Sequence, residues 1–324
     1  MAKFEKIAEH LFCIDTYDLG LPNRTSSYLL KDEKIALIET SASPSVPYIL
    51  KALEELDISP SDIDYLILTH IHLDHAGGTG VFMQHSPKAK VLVHPKGVRH
   101  LIDPSRLIAS AKSVYGEKFD GIFGEILPIA EERFHPVEDG ESLNLGASTL
   151  TFYHTKGHAN HHISIHDSIT NGMFVGDTTG VYYPDIAEED FEVILPSTSP
   201  NQFDPDLMEE SIQLYEKIKP EMIYFGHYGA YSNPEFAYEE VRRYLPIFVQ
   251  AGRQAMQEES EFTKQVNRTE QILTETIFKE LQLKGLPENH PIFKVIPLDL
   301  AVSAMGIIDY LIKAEQSSNV KKFR

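Results

Sequence analysis

Three histidines and an aspartate stand within six residues at the end of an apolar stretch of this chain. Residues 63–68 are mostly apolar, as expected of a strand covered on both faces, and they lead directly into His70, His72, Asp74 and His75. Alternate residues that leave a strand can point to one metal ion, while the next turn directs Asp74 and His75 to a second position nearby. Few structural needs produce such a cluster, so the segment predicts a metal site at a strand-to-helix turn.

Further metal-type donors follow three other predicted strands. His158 comes shortly after a strand predicted at 149–154, Asp177 after one at 172–175, and His227 after one at 222–225. One loop supplies too few donors for two closed metal shells, so we expect these residues to converge with those of the first cluster.

The HxHxDH motif, the later His, the Gly-Asp pair and the Gly-His pair resemble, in type and order, those of the metallo-β-lactamase superfamily. The resemblance covers residues 12 to about 231 and is to dinuclear members such as glyoxalase II-like thioesterases and lactonases. It implies an α/β (α+β) fold, a four-layer αββα sandwich. It also implies a ligand set: His70, His72 and His158 for a first metal, Asp74, His75 and His227 for a second, and Asp177 as the bridging carboxylate. The family usually has Asp where this chain has Glu39, which would change the geometry around the ligands.

Strand signals nearly vanish beyond Tyr231, which divides the chain into two expected parts. Residues 1–233 are predicted to form the catalytic domain and residues 234–324 a C-terminal helical extension. Within the extension we expect two helices over 234–283, a loop over 285–297 and a last helix over 298–314. The apolar face of this last helix would pack on the core, cap the active site or form a homodimer.

Composition excludes several classes of function. The formal charge of −19 repels nucleic-acid phosphates, and no run of 18 apolar residues or signal peptide is found. A single cysteine, Cys13, fits a reducing compartment. We therefore expect a cytoplasmic protein that acts on a small molecule, with neither nucleic acid nor membrane as partner.

Two divalent ions would lower the pKa of a water molecule and hold it as hydroxide for attack on a substrate, with Asp74 orienting it. Zinc is the default metal, and iron, manganese and cobalt suit the same imidazole and carboxylate donors. The leading prediction is a hydrolase of an ester, thioester or lactone bond. An iron-dependent, dioxygenase-like oxidoreductase, a phosphodiesterase and a non-catalytic scaffold remain alternatives.

Substrate-binding residues are predicted from their places beside the ligands. His161 and His162 follow His158 directly, Tyr228 follows His227, and Tyr182 lies in the loop where lactonases of this superfamily place a substrate-contacting tyrosine. That tyrosine sits closer to the aspartate in the lactonases, at a position that is Gly180 here. His94, His154 and His166 are predicted to be structural.

Overall fold

The computed structural model describes residues 2–187 and 191–322 of the chain. Two compact units emerge from its packing. The first unit comprises Met1–Thr155, His161–Gly176 and Ile218–Pro234, and the second comprises Lys156–Asn160, Asp177–Lys217 and Glu235–Arg324.

Two seven-stranded sheets are present in the described residues. The first sheet has its strands in chain order: β1 (Phe4–Ala8), β2 (Leu11–Asp15), β3 (Ser26–Lys31), β4 (Ile35–Ile38), β5 (Ile63–Ile67), β6 (Lys90–Val93) and β7 (Phe134–Pro136). The strands β1 to β4 pair antiparallel, and β4 to β7 pair parallel. The second sheet is formed by β8 (Ser142–Asn144), β9 (Thr149–His154), β10 (Ile163–Asp167), β11 (Gly172–Tyr182), β12 (Ile194–Leu195), β13 (Met222–His227) and β14 (Gly229–Tyr231), in the order β14-β13-β11-β10-β9-β8 with β12 beside β11.

Eleven α-helices lie in the described residues. They are α1 (Val46–Glu55), α2 (Leu73–Ala76), α3 (Thr79–Phe82), α4 (Pro95–Ile102), α5 (Ser105–Tyr115), α6 (Phe119–Phe123), α7 (Pro184–Ala187), α8 (Pro205–Ile218), α9 (Pro234–Glu258), α10 (Phe262–Leu283) and α11 (Ile292–Lys322). The parallel strands β4, β5 and β6 are joined through α1 to α3, so their carboxyl ends share one edge of the sheet.

The core of the first unit has two apolar layers. One lies between the sheets and joins residues such as Leu30 and Ile38 of the first sheet to Phe152 and Ile165 of the second. The other covers the opposite face of the first sheet, where Ile49 and Leu53 of α1 pack on its strands. The mixed α/β fold expected from the sequence is therefore confirmed, with its C-terminal helical region.

In the second unit, α10 packs along α11, and Ala255, Val266, Ala304 and Ile308 form a buried cluster. The apolar face predicted for the last helix is buried, and it consists of Leu300, Ala304, Ile307, Ile308 and Leu311.

The last helix begins earlier than the sequence indicates. The sequence predicts a loop as far as Pro297, but α11 starts at Ile292 and runs through that proline. Pro297 removes one helical hydrogen bond. Ile292, Ile296 and Leu300 lie four residues apart on one face and are at most 2% exposed, so burial of this face offsets the loss.

Helix α11 also bears on the expectation that the chain has no membrane partner. Within the described residues, Ile292–Ser317 is the one helix long and apolar enough to cross a membrane, although charged residues interrupt it. A buried helix of a globular protein meets the same criterion, and 44% of the most apolar window is buried.

Candidate metal centre

Asp74, His75 and His227 form a compact group of metal-type donors in the first unit. The nitrogen atoms Nε2 of His75 and His227 are 3.2 Å apart, and Asp74 Oδ2 lies 3.7 Å from the first and 3.4 Å from the second. Ligand atoms that hold a tetrahedral metal at about 2.0–2.1 Å must lie about 3.3 Å from one another. The three edges of this triangle match that spacing.

The other nitrogen of each ring shows which atom faces the group. His227 Nδ1 lies 3.1 Å from the backbone carbonyl oxygen of Arg24, and His75 Nδ1 lies 3.4 Å from Glu39 Oε2. The Arg24 carbonyl accepts a hydrogen bond, so His227 Nδ1 carries the hydrogen and its Nε2 presents a lone pair. The Glu39 carboxylate makes no hydrogen bond with His75, but its negative charge beside Nδ1 favours the hydrogen on that atom and a lone pair on Nε2. Two buried lone pairs at 3.2 Å repel each other unless a cation lies between them. The donor set therefore fits a divalent metal.

His70 and His72 form a second nitrogen pair in the same unit. His70 is fully buried, its Nδ1 is 3.0 Å from Thr69 Oγ1, and its Nε2 is 3.0 Å from His72 Nδ1. The backbone leaves β5 extended and turns into α2 at Leu73, with His72 as the residue before the helix. This is the strand-to-helix turn that the sequence predicts.

His158 and Asp177 lie together in the second unit. His158 Nε2 is 3.5 Å from Asp177 Oδ2, and the same carboxylate oxygen accepts a hydrogen bond of 3.0 Å from Ser197 Oγ. His158 Nδ1 lies 3.0 Å from the carbonyl oxygen of Ser197, so its Nε2 is also the ligand atom. Residue Ser197 thus orients both members of the pair.

The sequence suggests that Asp177 follows the end of a strand, but the residue lies inside β11. The strand continues to Tyr182 because Val181 and Tyr182 pair with β12. Gly176 adopts a left-handed conformation (φ 49°) just before Asp177, and a β-carbon there would overlap His162 Nε2. Glycine is therefore required at this position.

Glu39 occupies the position where the sequence departs from the usual family pattern. Its Oε1 accepts the backbone N–H of Thr69 at 2.7 Å, and its Oε2 faces His75. The residue is 2% exposed and has a left-handed backbone (φ 67°), which is strained for a side chain of this size. Glu39 therefore joins the first residue of the metal-binding turn to a ligand.

The loop between β2 and β3 contributes residues that sequence reasoning missed. Arg24 holds His227 through its backbone carbonyl, and its Nε lies 3.4 Å from Asp18 Oδ2. Burial raises the pKa of Asp18, while Arg24 opposes this shift. A backbone carbonyl is present in every residue, so no residue type could have indicated that the carbonyl of Arg24 holds His227 or that the carbonyl of Ser197 holds His158.

The histidines that follow His158 occupy different positions in the first unit. The ring of His161 lies 5.6 Å from the ring of His72 and 6.3 Å from that of His70, so it is beside the predicted ligands. His162 is fully buried, its Nδ1 is 2.9 Å from Thr155 Oγ1, and its ring lies 5.3 Å from His70. His162 thus packs beside His70 and is held by Thr155.

The tyrosines proposed for substrate contact are placed as follows. Tyr182 ends β11 and is partly buried, whereas the hydroxyl of its neighbour Tyr183 donates to Asp299 Oδ2 at 2.9 Å. Tyr228 packs against the core between the sheets near Cys13, and burial raises its pKa.

The three histidines that the sequence predicts to be structural have local partners. His94 accepts the backbone N–H of Lys96 on Nδ1, and its ring packs at 4.2 Å on that of His154. His154 Nε2 lies 3.0 Å from the carbonyl oxygen of Val137, and His166 Nε2 lies 2.9 Å from Asn171 Oδ1. These contacts agree with structural roles.

The chain is similar in sequence to several known proteins. The metallo-beta-lactamase superfamily profile matches residues 20–227. A metallo-beta-lactamase fold-containing protein from Sulfurisphaera tokodaii is 28% identical over 240 residues, which are 72% of this chain and 84% of that protein. A hydroxyacylglutathione hydrolase from Aeromonas salmonicida is 26% identical over 194 residues, 59% of this chain and 56% of that enzyme.

A solved structure extends the likeness of fold. A metallo-beta-lactamase family protein from Thermus thermophilus has a TM-score of 0.64 over 95% of both chains at 18% identity. The superfamily binds divalent metals and includes both hydrolases and oxidoreductases. On the extent of the profile match and the donors at Asp74, His75 and His227, this chain belongs to the metallo-β-lactamase superfamily.

Proposed function

We propose that the protein is a metal-dependent hydrolase that cleaves an ester, thioester or lactone bond of a small molecule. The observation that carries the proposal is the triangle of Asp74, His75 and His227. The two Nε2 atoms face each other, His227 Nδ1 is hydrogen-bonded to a backbone carbonyl, and His75 Nδ1 faces the Glu39 carboxylate. Such an arrangement prepares ligands for a metal before it binds.

The full ligand set of the proposal follows the motif order. His70, His72 and His158 would hold one cation, Asp74, His75 and His227 the other, and Asp177 would bridge them. The spacings of 3.0 Å within the pair His70 and His72 and of 3.5 Å between His158 and Asp177 suit shared metal shells. The donors are imidazole and carboxylate without thiolate, which suits zinc and also iron or manganese.

Cations at these residues would supply positive charge for the substrate carbonyl and lower the pKa of a water molecule towards neutrality. Asp74 is the most accessible side chain of its group, 31% exposed against 1% for His75 and 7% for His227. It can therefore accept a hydrogen bond from the attacking water and orient it. We propose that His161, whose ring lies beside those of His70 and His72, donates to a substrate oxygen.

The substrate of the proposal is a small acyl compound. The net charge of −19 opposes polynucleotides. The hydroxyacylglutathione hydrolase among the relatives supports a thioester as one member of the substrate class. Tyr182 remains a proposed contact to the substrate carbonyl, by resemblance to the lactonases.

The test compares His227→Ala with His166→Ala, a histidine with a local partner away from the ligand set. Each purified variant is assayed for bound metal by elemental analysis and for hydrolysis of a carboxylic ester, a hydroxyacylglutathione thioester and a lactone. We expect His227→Ala to lose one metal and about 100-fold or more in rate, since metal assistance contributes several kcal/mol. Full metal content and full activity in His227→Ala would refute the proposal.

An iron-dependent oxidoreductase is the second candidate, because imidazole and carboxylate donors without thiolate are a ligand type that suits iron as well as zinc. Protein grown without added zinc and purified anaerobically would then contain iron and consume oxygen with a suitable substrate. Under the leading proposal the same protein consumes no oxygen and hydrolyses an acyl substrate. Cleavage of a phosphodiester instead would favour the phosphodiesterase alternative.

A further inference from the structure

The segment 196–199 links two proposed metal ligands to the C-terminal helix, entirely within the second unit. Ser197 accepts from His158 Nδ1 on its carbonyl oxygen and donates from Oγ to Asp177 Oδ2, both at 3.0 Å. The position of this one residue therefore sets the position of both ligands. Whatever holds Ser197 in place also holds them.

Helix α11 holds the next residue of this segment by hydrogen bonds. Thr198 Oγ1 donates to the backbone carbonyl of Ser303 at 3.0 Å, and Ser303 Oγ accepts the backbone N–H of Thr198 at 3.5 Å. Thr198 is fully buried and Ser303 is 4% exposed. A buried hydroxyl with a defined acceptor fixes the backbone on which it is mounted.

A glycine of α11 permits the close approach. A β-carbon at Gly306 would overlap the carbonyl oxygen of Thr198 and lie 2.7 Å from the carbonyl carbon of Ser199. These are backbone atoms, which cannot rotate away as the end of a side chain can. On the β11 side, a β-carbon at Gly180 would overlap the carbonyl oxygen of Leu195. The chain from Leu195 to Ser199 is thus confined between β11 and α11.

We propose that Ser303 and Gly306 of α11 are positioning residues for His158 and Asp177 and act through Thr198 and Ser197. This inference rests on the proposed function, since it assigns those two ligands to the metal centre. It gives the helical extension a role besides capping or dimerisation, because α11 supports the ligands that the second unit contributes.

The decisive comparison is between Gly306→Ala and Gly252→Ala. A β-carbon at Gly252 of α9 would also overlap α11, but it would meet side-chain methyl groups of Ile307 and Leu311 instead of the backbone of 196–199. Both variants disturb packing in the same unit, and one alone moves Ser197. We expect Gly306→Ala to weaken the binding of one zinc ion by about 10–100-fold in a chelator competition. Gly252→Ala should leave zinc affinity unchanged, although it should lower the thermal midpoint about as much as Gly306→Ala does.

A second readout does not depend on metal. In metal-free protein, ¹⁵N spectra of the histidine rings report the tautomer, and His158 is assigned by comparison with His158→Gln. We expect the Nδ1-protonated form of His158 in the wild type and in Gly252→Ala, and a mixture of tautomers in Gly306→Ala. An unaltered His158 tautomer in Gly306→Ala would overturn the inference, even if the wild type bound no metal and the proposed function had failed.

Thr198→Val serves if Gly306→Ala does not fold, because it removes one hydroxyl at nearly constant volume. We expect a loss of zinc affinity of about 10-fold and the same mixture of His158 tautomers. Zinc affinity and His158 spectra equal to those of the wild type, in whichever of the two variants folds, would show that α11 has only a packing role.

Discussion

At His75 and His227 the surroundings of Nδ1 decide whether Nε2 can bind a metal. Each Nδ1 faces an acceptor, Glu39 Oε2 or the Arg24 carbonyl, so each Nε2 presents a lone pair. His94 has the opposite arrangement, since its Nδ1 already accepts a hydrogen bond from the Lys96 backbone. The same residue type is therefore a ligand candidate in one place and a structural residue in the other.

The contrast between these histidines can be tested by substitution. We expect His72→Ala and Asp177→Ala to lose at least one metal and nearly all hydrolysis, because each removes a proposed ligand. His94→Ala should retain both metals and most activity. Elemental analysis and rate measurement on the three purified variants check this, and a fully active His72→Ala would contradict it.

Glu39 gives a finer prediction. Glu39→Gln keeps the length of the side chain and the acceptor for the Thr69 N–H but removes the negative charge beside His75. We expect metal affinity to fall by about 10–100-fold, as is usual when a group that orients a ligand is changed. Glu33→Gln, at an exposed position of the same sheet region, is the matched control. Equal zinc affinities for the two variants would show that the Glu39 carboxylate does not support the ligand.

At the scale of elements, strands long enough to show a hydrophobic pattern were predicted well, and short edge strands were missed. The bounds of β9, 149–154, agree with the prediction, and β5 differs by one residue. The strands β12 and β14 have two and three residues, which is too short for hydrophobic alternation to show. The extension of β11 past Asp177 depends on pairing with β12, a long-range contact that periodicity cannot predict.

Packing of α9 on α10 predicts a pH dependence of stability. Burial raises the pKa of Glu280, but hydrogen bonds from Arg243 and Lys284 outweigh it and lower the pKa to about 2. Because the folded pKa lies below the unfolded value of 4.5, the stabilisation is full above pH 4.5 and is lost as the pH falls towards 2. Its size, after allowance for solvent screening of a side chain that is 24% exposed, is about 1 kcal/mol.

Urea unfolding of metal-free protein tests this. Glu280→Gln should be less stable than the wild type by about 1 kcal/mol at pH 7, and the difference should shrink at pH 3. Glu275→Gln, an exposed carboxylate on the same helix, should show no such difference. A destabilisation by Glu280→Gln that is equal at both pH values would exclude the ion pairs as its cause.

At the scale of the whole molecule, the proposed ligands come from stretches of chain that are far apart in sequence, from His70 to His227. A metal that binds the folded chain and not the unfolded one stabilises the fold. Removal of metal by a chelator should lower stability by about 2.7 kcal/mol for a metal present at 100 times its dissociation constant. For a chain of 324 residues that corresponds to about 4 °C in the thermal midpoint.

Differential scanning calorimetry with and without chelator measures this shift. Addition of zinc back to the chelated protein should restore the midpoint, and magnesium, which prefers oxygen ligands, should not. An unchanged midpoint after complete removal of metal would contradict binding by the folded chain.

The amino-acid sequence by itself determined the family, the two-sheet fold and which residues are candidate ligands, since these depend on residue type, order and strand periodicity. The tertiary structure alone decided how the histidine rings are oriented, because the partners of His227 and His158 are the backbone carbonyls of Arg24 and Ser197. Every residue has such a carbonyl, so only folding selects the one that is used. The contact of Gly306 with Thr198 likewise forms only because two distant segments meet in the fold, so no local sequence pattern predicts it.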